Sequence, residues 1–402
     1  MIRNITDVKG IKCWGAHIGI KSQKRDLAII YSQTPANVAA TFTRNVVVSE
    51  CIKVNREHIK SGKAQLIVVN SGNANTCTGE QGKNGAEIMA RTAAETFKVH
   101  PEHVLIGSTG IIGREFPTEK VAEGIKRNAP RITSRKIAGS LAANAILTTD
   151  TFSKEGFVSF LAKGKKINMA GIAKGSGMIH PDMGTMMAYI VSDLAINQAL
   201  LQKALSEAVD KSFNMISVDG DTSTNDMAVV MCNGMAKNQE VNDEHDKTYK
   251  IFKSQLERLC IHLAKLIVSD GEGATKTIEY KVTHAADRES ARKIVRTISN
   301  SSLVKTAIYG RDPNWGRIIA AAGRAGVDFD PDKVDLFIGT KDVIQLLDKG
   351  MPVYQSFTKL KMRMKASFIR VTINLNMGNA QATGWGTDLT EEYVRFNSLY
   401  TT

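Results

Sequence analysis

Short apolar runs rich in β-branched residues alternate along the chain with segments whose apolar residues recur at helical spacing. The runs are bounded by turn-forming residues and predict strands at 26–32, 65–70, 104–106, 186–192, 226–232 and 367–375. The helical spacing predicts helices at 85–97 and 249–268, and a third helix that Asn197 caps, with Leu201, Leu205 and Val209 in its apolar stripe. We therefore expect an α/β fold in which strands and helices interleave.

The alternation becomes denser from about residue 277. A strand at 278–283, a helix at 285–298, a strand at 304–309, a helix at 315–325 and a strand at 334–338 follow one another closely. We expect the segment of about 277–375 to form a smaller α/β subdomain in the C-terminal half of a mixed, layered α/β architecture. A polar tail is expected after it.

The composition is that of a folded protein with reduced thiols. Of the 402 residues, 43% are hydrophobic, which is enough for two domains or one large composite domain without a disulfide or metal staple. The five cysteines are an odd number and contain no C-x-x-C pair. We therefore expect no disulfide framework, no metal site and a cytoplasmic location.

The formal net charge of +13 is spread along the chain rather than gathered in one segment. The densest cluster, formed by Lys163, Lys165 and Lys166, is short, and no basic arm or aromatic-interleaved basic face accompanies it. We interpret the charge as a solvated surface and expect no nucleic-acid partner. No uninterrupted apolar stretch reaches about 18 residues, so no membrane span is expected.

One segment has the chemistry of a self-cleaving loop. Residues 174–191 read KGSGMIHPDMGTMMAYIV, a glycine-rich loop that enters an apolar strand. Attack of the Thr185 hydroxyl on the Gly184 carbonyl, an N-to-O acyl shift and ester hydrolysis would free the Thr185 α-amine. That amine has a reference pKa near 7.7–8.0 and can act as the base for its own hydroxyl. On composition alone, an ordinary loop-to-strand turn is the simpler interpretation.

A second candidate is the turn G-S-T-G-I-I-G at 107–113, which directly follows a predicted strand. The hydroxyl of Thr109 and the backbone N–H of Gly110 can point at one spot, which is what an oxyanion needs. Glycine-rich turns after strands are common, so this turn does not decide the function by itself. Neither candidate segment matches a Rossmann or P-loop fingerprint.

Together these segments resemble the bifunctional ornithine acetyltransferases (glutamate N-acetyltransferases) of arginine biosynthesis, whose usual loop is K-G-A-G-M-I-A-P-N-M-A-T-M-L. Further matches follow along the whole chain in the family's order. They are V-N-S-G-N-A-N at 69–75, S-T-G at 108–110, T-T-D-T at 148–151, S-V-D-G-D-T at 217–222, N-D at 225–226, G-E-G-A-T-K at 271–276, G-R-D-P-N-W-G-R at 310–317 and N-S-L-Y-T-T at 397–402. So many ordered matches argue against chance.

The resemblance implies a fold of the ornithine acetyltransferase type and a proenzyme that cuts itself between Gly184 and Thr185. The products are an α chain, 1–184, and a β chain, 185–402, which in this family typically assemble as two α and two β chains. The implied reaction moves an acetyl group from N2-acetylornithine to glutamate through an acetyl-Thr185 ester. No cofactor is expected, and acetyl-CoA is a second donor if this member is bifunctional.

The resemblance also assigns functional positions. Thr109 and Gly110 are the implied oxyanion hole, and the implied substrate contacts are Thr148, Lys174, Thr185, Glu272, Asn397 and Thr402. The residue types fit, because Lys174 can pair with the substrate α-carboxylate and Glu272 with the δ-ammonium group of ornithine. Without the resemblance, Lys174 would be a solvated loop lysine and Glu272 the end of a long helix.

This chain departs from the family loop at three positions. His180, Asp182 and Gly184 stand where a small residue, an asparagine and an alanine are usual. The charges lie close to the new N-terminus, so we expect them to alter the rate or pH dependence of cleavage without abolishing it. The aspartates at 219–226 do not match an EF-hand loop, and we interpret them as turn-forming residues.

Two other functions fit parts of the pattern. An N-terminal-nucleophile amidohydrolase or aminopeptidase would use the same loop with water as the acceptor. An uncleaved basic binding protein would stay one chain and bind polyanions in a strongly salt-dependent way. The scattered charge and the coherent nucleophile loop argue against the second alternative.

Overall fold

The computed structural model describes residues 3–180 and 186–399. The strands of these residues are β1 Ile11–Ala16, β2 Leu27–Phe42, β3 Lys63–Asn73, β4 Val104–Ile111, β5 Lys154–Ala162, β6 Lys165–Lys174, β7 Met187–Ser192, β8 Ile216–Ser217, β9 Met227–Cys232, β10 Thr277–Ala285, β11 Asp335–Gly339, β12 Val343–Asp348, β13 Met351–Pro352, β14 Phe368–Asn374 and β15 Ala380–Thr387. The helices are α1 Glu50–His58, α2 Gly79–Phe97, α3 Thr118–Asn128, α4 Lys136–Ala145, α5 Gln198–Lys211, α6 Lys247–Ser269, α7 Arg288–Ser299, α8 Ser302–Tyr309, α9 Trp315–Gly323, α10 Phe357–Arg363 and α11 Glu391–Leu399.

The strands form two sheets. The first has the order β4-β3-β2-β9-β7-β6-β5, with β1 pairing with β2, and the second has the order β13-β12-β11-β14-β10-β15-β8. Helices α5 and α6 contact strands of both sheets. The expected layered α/β architecture is therefore confirmed, with helices joining the two sheets.

Strand β7 lies inside the first sheet and is buried on both faces. Met187, Tyr189 and Val191 belong to one core cluster, whereas Ala188 and Ile190 belong to another on the opposite face. A strand covered on both sides reads as a continuous apolar run rather than an alternating one. This explains why the segment after the glycine-rich loop is apolar at every position.

The helix predictions with a local signal are confirmed. The Asn197 side chain accepts hydrogen bonds from the backbone N–H groups of Ala199 and Leu200 at the start of α5. The predicted helix at 249–268 is α6, which buries Phe252 and Leu256 along one face. Strand β2 is longer than the predicted 26–32, because a register shift lets its first half pair with β3 and its second half with β9.

The predicted strand at 304–309 is wrong, because this segment is helix α8. The Ser301 side chain accepts a hydrogen bond from the Val304 N–H and so caps the helix. Val304, Ala307 and Ile308 are buried, at a spacing that places them on one helical face. A short apolar run is compatible with either period, and here the cap decides for the helix.

The expected polar tail after residue 375 is also wrong, because it contains strand β15 and helix α11. Strand β15 pairs with β10 and with β8, and so lies between β10 and the edge strand β8 of the second sheet. Helix α11 carries Asn397 toward the site described below. No α-helix among the described residues is both long and apolar enough to cross a membrane.

Candidate active site

The register of the first sheet brings three chain segments to one row. Lys174, the last residue of β6, lies opposite Met187, the first residue of β7, and Met187 lies opposite Met227, the first residue of β9. The residues that precede these two methionines, Met186 and Asp226, therefore lie next to each other as well. Lys174 and Asp226 therefore lie beside Met186 and Met187, which follow the predicted cleavage position.

A cavity opens at this row and gathers most of the predicted site. It is lined by six predicted residues, Thr109, Gly110, Thr148, Lys174, Glu272 and Asn397, and also by Met186 and Asp226. The predicted residues Gly184, Thr185 and Thr402 lie outside the described residues, as does Asp182. Residues that are far apart in the sequence thus share one cavity with the neighbour of Thr185 in the chain.

The predicted turn at 107–113 is wrong for its first part, because Thr109 and Gly110 extend strand β4 and pair with β3. Lys174 Nζ donates to Thr109 Oγ1 at 3.2 Å, which leaves the hydroxyl proton of Thr109 available for another acceptor. Gly110 has φ +137°, and a Cβ at this position would lie 2.5 Å from the carbonyl carbon of Gly72. Only glycine fits there, and both residues line the cavity.

A buried ion cluster supports the floor of the cavity. Lys154 Nζ bonds to Asp150 Oδ1 at 2.5 Å and also to Asp270 Oδ2. Asp150 further accepts the backbone N–H groups of Thr148 at 2.9 Å and of Gly175 at 2.7 Å. The cluster therefore fixes the two loops that carry Thr148 and Lys174. Our sequence reasoning missed it, because a lysine in a polar segment gives no sign of burial.

The cluster also sets the local electrostatics. Burial alone would raise the pKa of Asp150, but the charges of Lys174 and Lys154 and the Gly175 N–H outweigh it and lower the pKa to about 2. Burial lowers the pKa of Lys174, and the positive charge of Lys154 acts in the same direction while Asp150 opposes both. Lys174 is thus poorly solvated, and the negative charge of Asp150 partly compensates its positive charge.

Glu272 also lines the cavity, where it is held by the C-terminal helix α11. Asn397 Nδ2 donates to Glu272 Oε2 at 3.0 Å, and burial raises the pKa of Glu272 although hydrogen bonds from Thr149 and Asn397 oppose this. A Cβ on Gly177 would lie only 2.3 Å from Glu272 Oε2. The absence of a side chain at residue 177 therefore makes room for the carboxylate, which follows helix α6 rather than terminating it.

Asp226 is a cavity residue that our sequence reasoning missed, because we took it for a turn-forming aspartate. It is 2% exposed, and burial raises its pKa well above the ordinary value while the Lys174 charge opposes the rise. Its Oδ2 atom has no hydrogen-bond partner within the part of the chain that the structure describes. The one available signal was its position directly before a fully apolar strand.

Asp219, by contrast, is confirmed as a turn-forming residue. Its carboxylate accepts the backbone N–H groups of Met178 at 2.7 Å, Ile179 at 2.8 Å and Asp221 at 3.2 Å. These bonds tie the start of the cleavage loop to the 217–222 loop. Across the residues described, no group of three or more His, Cys, Asp or Glu side chains is placed to hold a metal ion.

His180, one of the departures from the family loop, lies behind the cavity rather than in its wall. Its Nε2 is 2.8 Å from Arg296 Nη2, and its Nδ1 is 3.0 Å from Ser217 Oγ. A guanidinium can only donate, so Nε2 must accept and the proton of the neutral ring must sit on Nδ1. The histidine therefore anchors the loop to helix α7 in its neutral form.

Comparison with known proteins identifies the family. The ArgJ family model matches residues 12–402. The chain is 46% identical over 395 residues to the arginine biosynthesis bifunctional protein ArgJ of Caldanaerobacter subterraneus subsp. tengcongensis, with 98% of this chain and 97% of the relative covered. It is 44% identical over 400 residues to ArgJ of Staphylococcus epidermidis, with 99% and 98% covered. This chain belongs to the ArgJ family.

A solved ArgJ structure agrees with the fold. The crystal structure of the arginine biosynthesis bifunctional protein ArgJ from Bacillus halodurans is 43% identical and superimposes with a TM-score of 0.51, covering 53% of this chain and 98% of that chain. The resemblance inferred from the sequence motifs is thus confirmed. The chain is an ArgJ acyltransferase of arginine biosynthesis, and this family membership disfavours both the aminopeptidase and the polyanion-binding alternatives.

Proposed function

We propose that this ArgJ protein cuts itself between Gly184 and Thr185 and then transfers acetyl groups by a ping-pong route. Thr185 Oγ attacks the acetyl carbonyl of N2-acetylornithine, the bond between the carbonyl carbon and the nitrogen breaks, and ornithine leaves an acetyl-Thr185 ester. The amine of glutamate then attacks the ester, which gives N-acetylglutamate and restores the hydroxyl. Thr109 and Gly110 donate to the oxyanion in both steps.

The observation that carries the proposal is the distribution of charge in the cavity. Lys174 and Glu272 both line the cavity, and Lys174 lies beside the Thr109 hydroxyl. Ornithine carries a carboxylate at one end and an ammonium at the other, so the two charges of the cavity complement the two ends of the substrate. Thr148 and Asn397 line the same cavity. We propose that they contact the substrate together with Thr185 and Thr402.

Three further parts of the proposal concern partners and location. The relatives are named bifunctional, which supports acetyl-CoA as a second donor. We propose that no other cofactor takes part. We propose that the α chain, 1–184, and the β chain, 185–402, assemble as two copies of each. We also propose a cytoplasmic location, in keeping with five free cysteines.

The first test is an intact mass under denaturing conditions for the purified protein and for Thr185→Ala. We expect two fragments, 1–184 and 185–402, from the parent and a single chain of 43.8 kDa from the variant. Release of ornithine from acetylornithine should then depend on glutamate. Ornithine release that is equally fast without glutamate would identify an amidohydrolase, and a parent chain that stays whole would contradict the cleavage.

The assignment of charges has its own test in the binding of acetylornithine. Removing the Glu272 carboxylate should weaken binding, because the δ-ammonium group would lose its partner. The variants Glu272→Ala and Glu272→Gln separate the loss of charge from the loss of volume. A Glu272→Ala variant that bound acetylornithine as tightly as the parent would refute the assignment.

A further inference from the structure

The Asp226 carboxyl is buried at the cavity wall, and the acetyl-transfer steps proposed for Thr185, Thr109 and Gly110 do not involve it. Ser223 and the backbone N–H of Met186 lower the pKa of this carboxyl but do not outweigh burial. One of its oxygens, Oδ2, is buried without a partner among the described residues. An unpaired buried carboxyl oxygen is costly and uncommon in folded proteins, so its presence in an active cavity calls for a functional reason.

The surroundings of Asp226 control its proton. The charged group that faces it is Lys174 at the end of β6, and Lys174 is itself shared with Asp150 and Glu272. Burial raises the pKa of Asp226 more than the shared lysine lowers it, so the carboxyl keeps its proton to a higher pH than an exposed aspartate does. A carboxyl that holds its proton in this way is the type of group that serves as a general acid and base.

The acetyl transfer needs a group of this kind. Ornithine leaves the first half-reaction as an amine and is an ammonium ion in neutral water, so it takes up one proton. Glutamate arrives as an ammonium ion and must lose one proton before its nitrogen can attack. A carboxyl that gives up one proton in the first half-reaction and regains one in the second would balance both steps of a ping-pong route.

We propose that Asp226 supplies this proton and later recovers it, an inference that rests on the proposed acetyl transfer. In the first half-reaction the Thr185 Oγ–acetyl bond forms, and the neutral Asp226 carboxyl donates its proton to the departing nitrogen as the carbon–nitrogen bond breaks and becomes a carboxylate. The hydroxyl proton of Thr185 passes to its own α-amine and from there to the released ornithine amine. In the second half-reaction the carboxylate takes a proton from the glutamate ammonium, and the amine attacks the ester and returns its other proton to Thr185 Oγ.

The test compares Asp226→Asn with Asp193→Asn. Asparagine keeps the volume of Asp226 and an acceptor oxygen but cannot release a proton at working pH. Asp193 is also fully buried with a pKa raised by burial, but it follows the far end of β7 and does not line the cavity. Both variants should be checked for cleavage by intact mass before their kinetics are measured with acetylornithine and glutamate.

We expect Asp226→Asn to lower kcat about 100-fold, the usual effect of removing an acid–base group. In the parent and in Asp193→Asn, kcat/KM for acetylornithine should fall as pH rises past the pKa of the neutral carboxyl. In Asp226→Asn this fall should be absent. A cleaved Asp226→Asn protein with the kcat and pH profile of the parent would overturn the proposal.

Two further measurements cover a variant that fails to cleave. Asp226→Glu keeps a carboxyl at the site, so its pH-dependent fall in kcat/KM should be displaced, and an unchanged parental profile would contradict the proposal. Infrared titration of the parent should show a buried carboxylic acid whose pKa moves when ornithine binds, and no such movement would also contradict it. If the parent itself transfers no acetyl group, the proposed function fails, whereas a fully active Asp226→Asn refutes only the role of Asp226.

Discussion

Lys154 donates a hydrogen bond to Asp270, and this buried ion pair joins a residue before the proposed cleavage position to a residue after it. The Lys154 side chain is fully buried and that of Asp270 is 3% exposed, and Asp150 completes the cluster from the other side. The pair therefore links the two proposed chains at the floor of the cavity. The cluster also holds the loop that follows Lys174, through the hydrogen bond from the Gly175 N–H to Asp150.

Replacement of Lys154 by methionine should destabilise the protein strongly. The change keeps much of the side-chain volume but takes the cation away from Asp270 and leaves Asp150 with Lys174 alone, and breaking a buried ion pair costs about 3–5 kcal/mol. The check is the free energy of unfolding in denaturant. Lys163→Met is the matched control, since its partner Asp246 is partly exposed and such pairs contribute about 0–1 kcal/mol. Equal losses in the two variants would contradict a special role of the buried cluster.

Asp150 should make the protein sensitive to acid in a defined range. Its pKa is about 2 in the folded protein and about 3.9 in an unfolded chain, so its carboxylate stabilises the fold above about pH 4. This stabilisation, about 2 kcal/mol, should be lost as the pH falls from about 4 to 2. Asp150→Asn should be less stable than the parent at neutral pH but lose less stability over that interval. Parallel stability curves for the two proteins would show that Asp150 does not carry this effect.

Gly177→Ala should weaken substrate binding without unfolding the protein. The new methyl group would meet the Glu272 carboxylate at 2.3 Å and push it from its place in the cavity. A displacement of about 1 Å at a reacting site can cost about 100-fold in rate, so we expect a loss of that order in kcat/KM for acetylornithine. Gly323→Ala is the control, because a Cβ there meets no atom within 4 Å. A normal kcat/KM in Gly177→Ala would place the Glu272 carboxylate elsewhere during binding.

The features that the sequence predicts correctly are those with a local signal. Asn197 caps α5 by bonding to the next turn of its own helix, and the apolar stripe of α6 is visible in its spacing alone. The segment at 304–309 has no such clear period, and its helix depends on the Ser301 cap and on burial by other elements. The family motifs located Lys174 and the other cavity residues in the described chain, although composition alone favoured simpler interpretations.

The features that the sequence does not predict depend on burial by distant segments. Aspartate is common in turns, so the residue type of Asp226 does not reveal its place. It becomes a cavity residue because β7 and β9 pair in a register that sets it beside Met186. Lys154 stands in a polar segment that is typical of the protein surface. It is nevertheless buried, because Asp150 and Asp270 both pair with its ammonium group. Such roles arise from contacts between residues far apart in the chain, which local patterns do not contain.

His180 should speed self-cleavage by anchoring the loop that leads to the proposed cleavage position. Its Nε2 accepts a hydrogen bond from Arg296 Nη2, and its Nδ1 lies 3.0 Å from Ser217 Oγ. The ring therefore joins the loop to helix α7 and to the segment at 217–222. His180→Ala removes both contacts, so we expect it to cleave more slowly than the parent, measured as the fraction of cleaved chains by intact mass after timed incubation.

The matched control for this prediction is His245→Ala, because the His245 side chain is 82% exposed and its loss removes no buried contact. This variant should cleave at the parental rate. Equal cleavage rates in His180→Ala and in the parent would exclude an anchoring role for His180. That outcome would direct attention to Asp182, the other charged departure from the family loop.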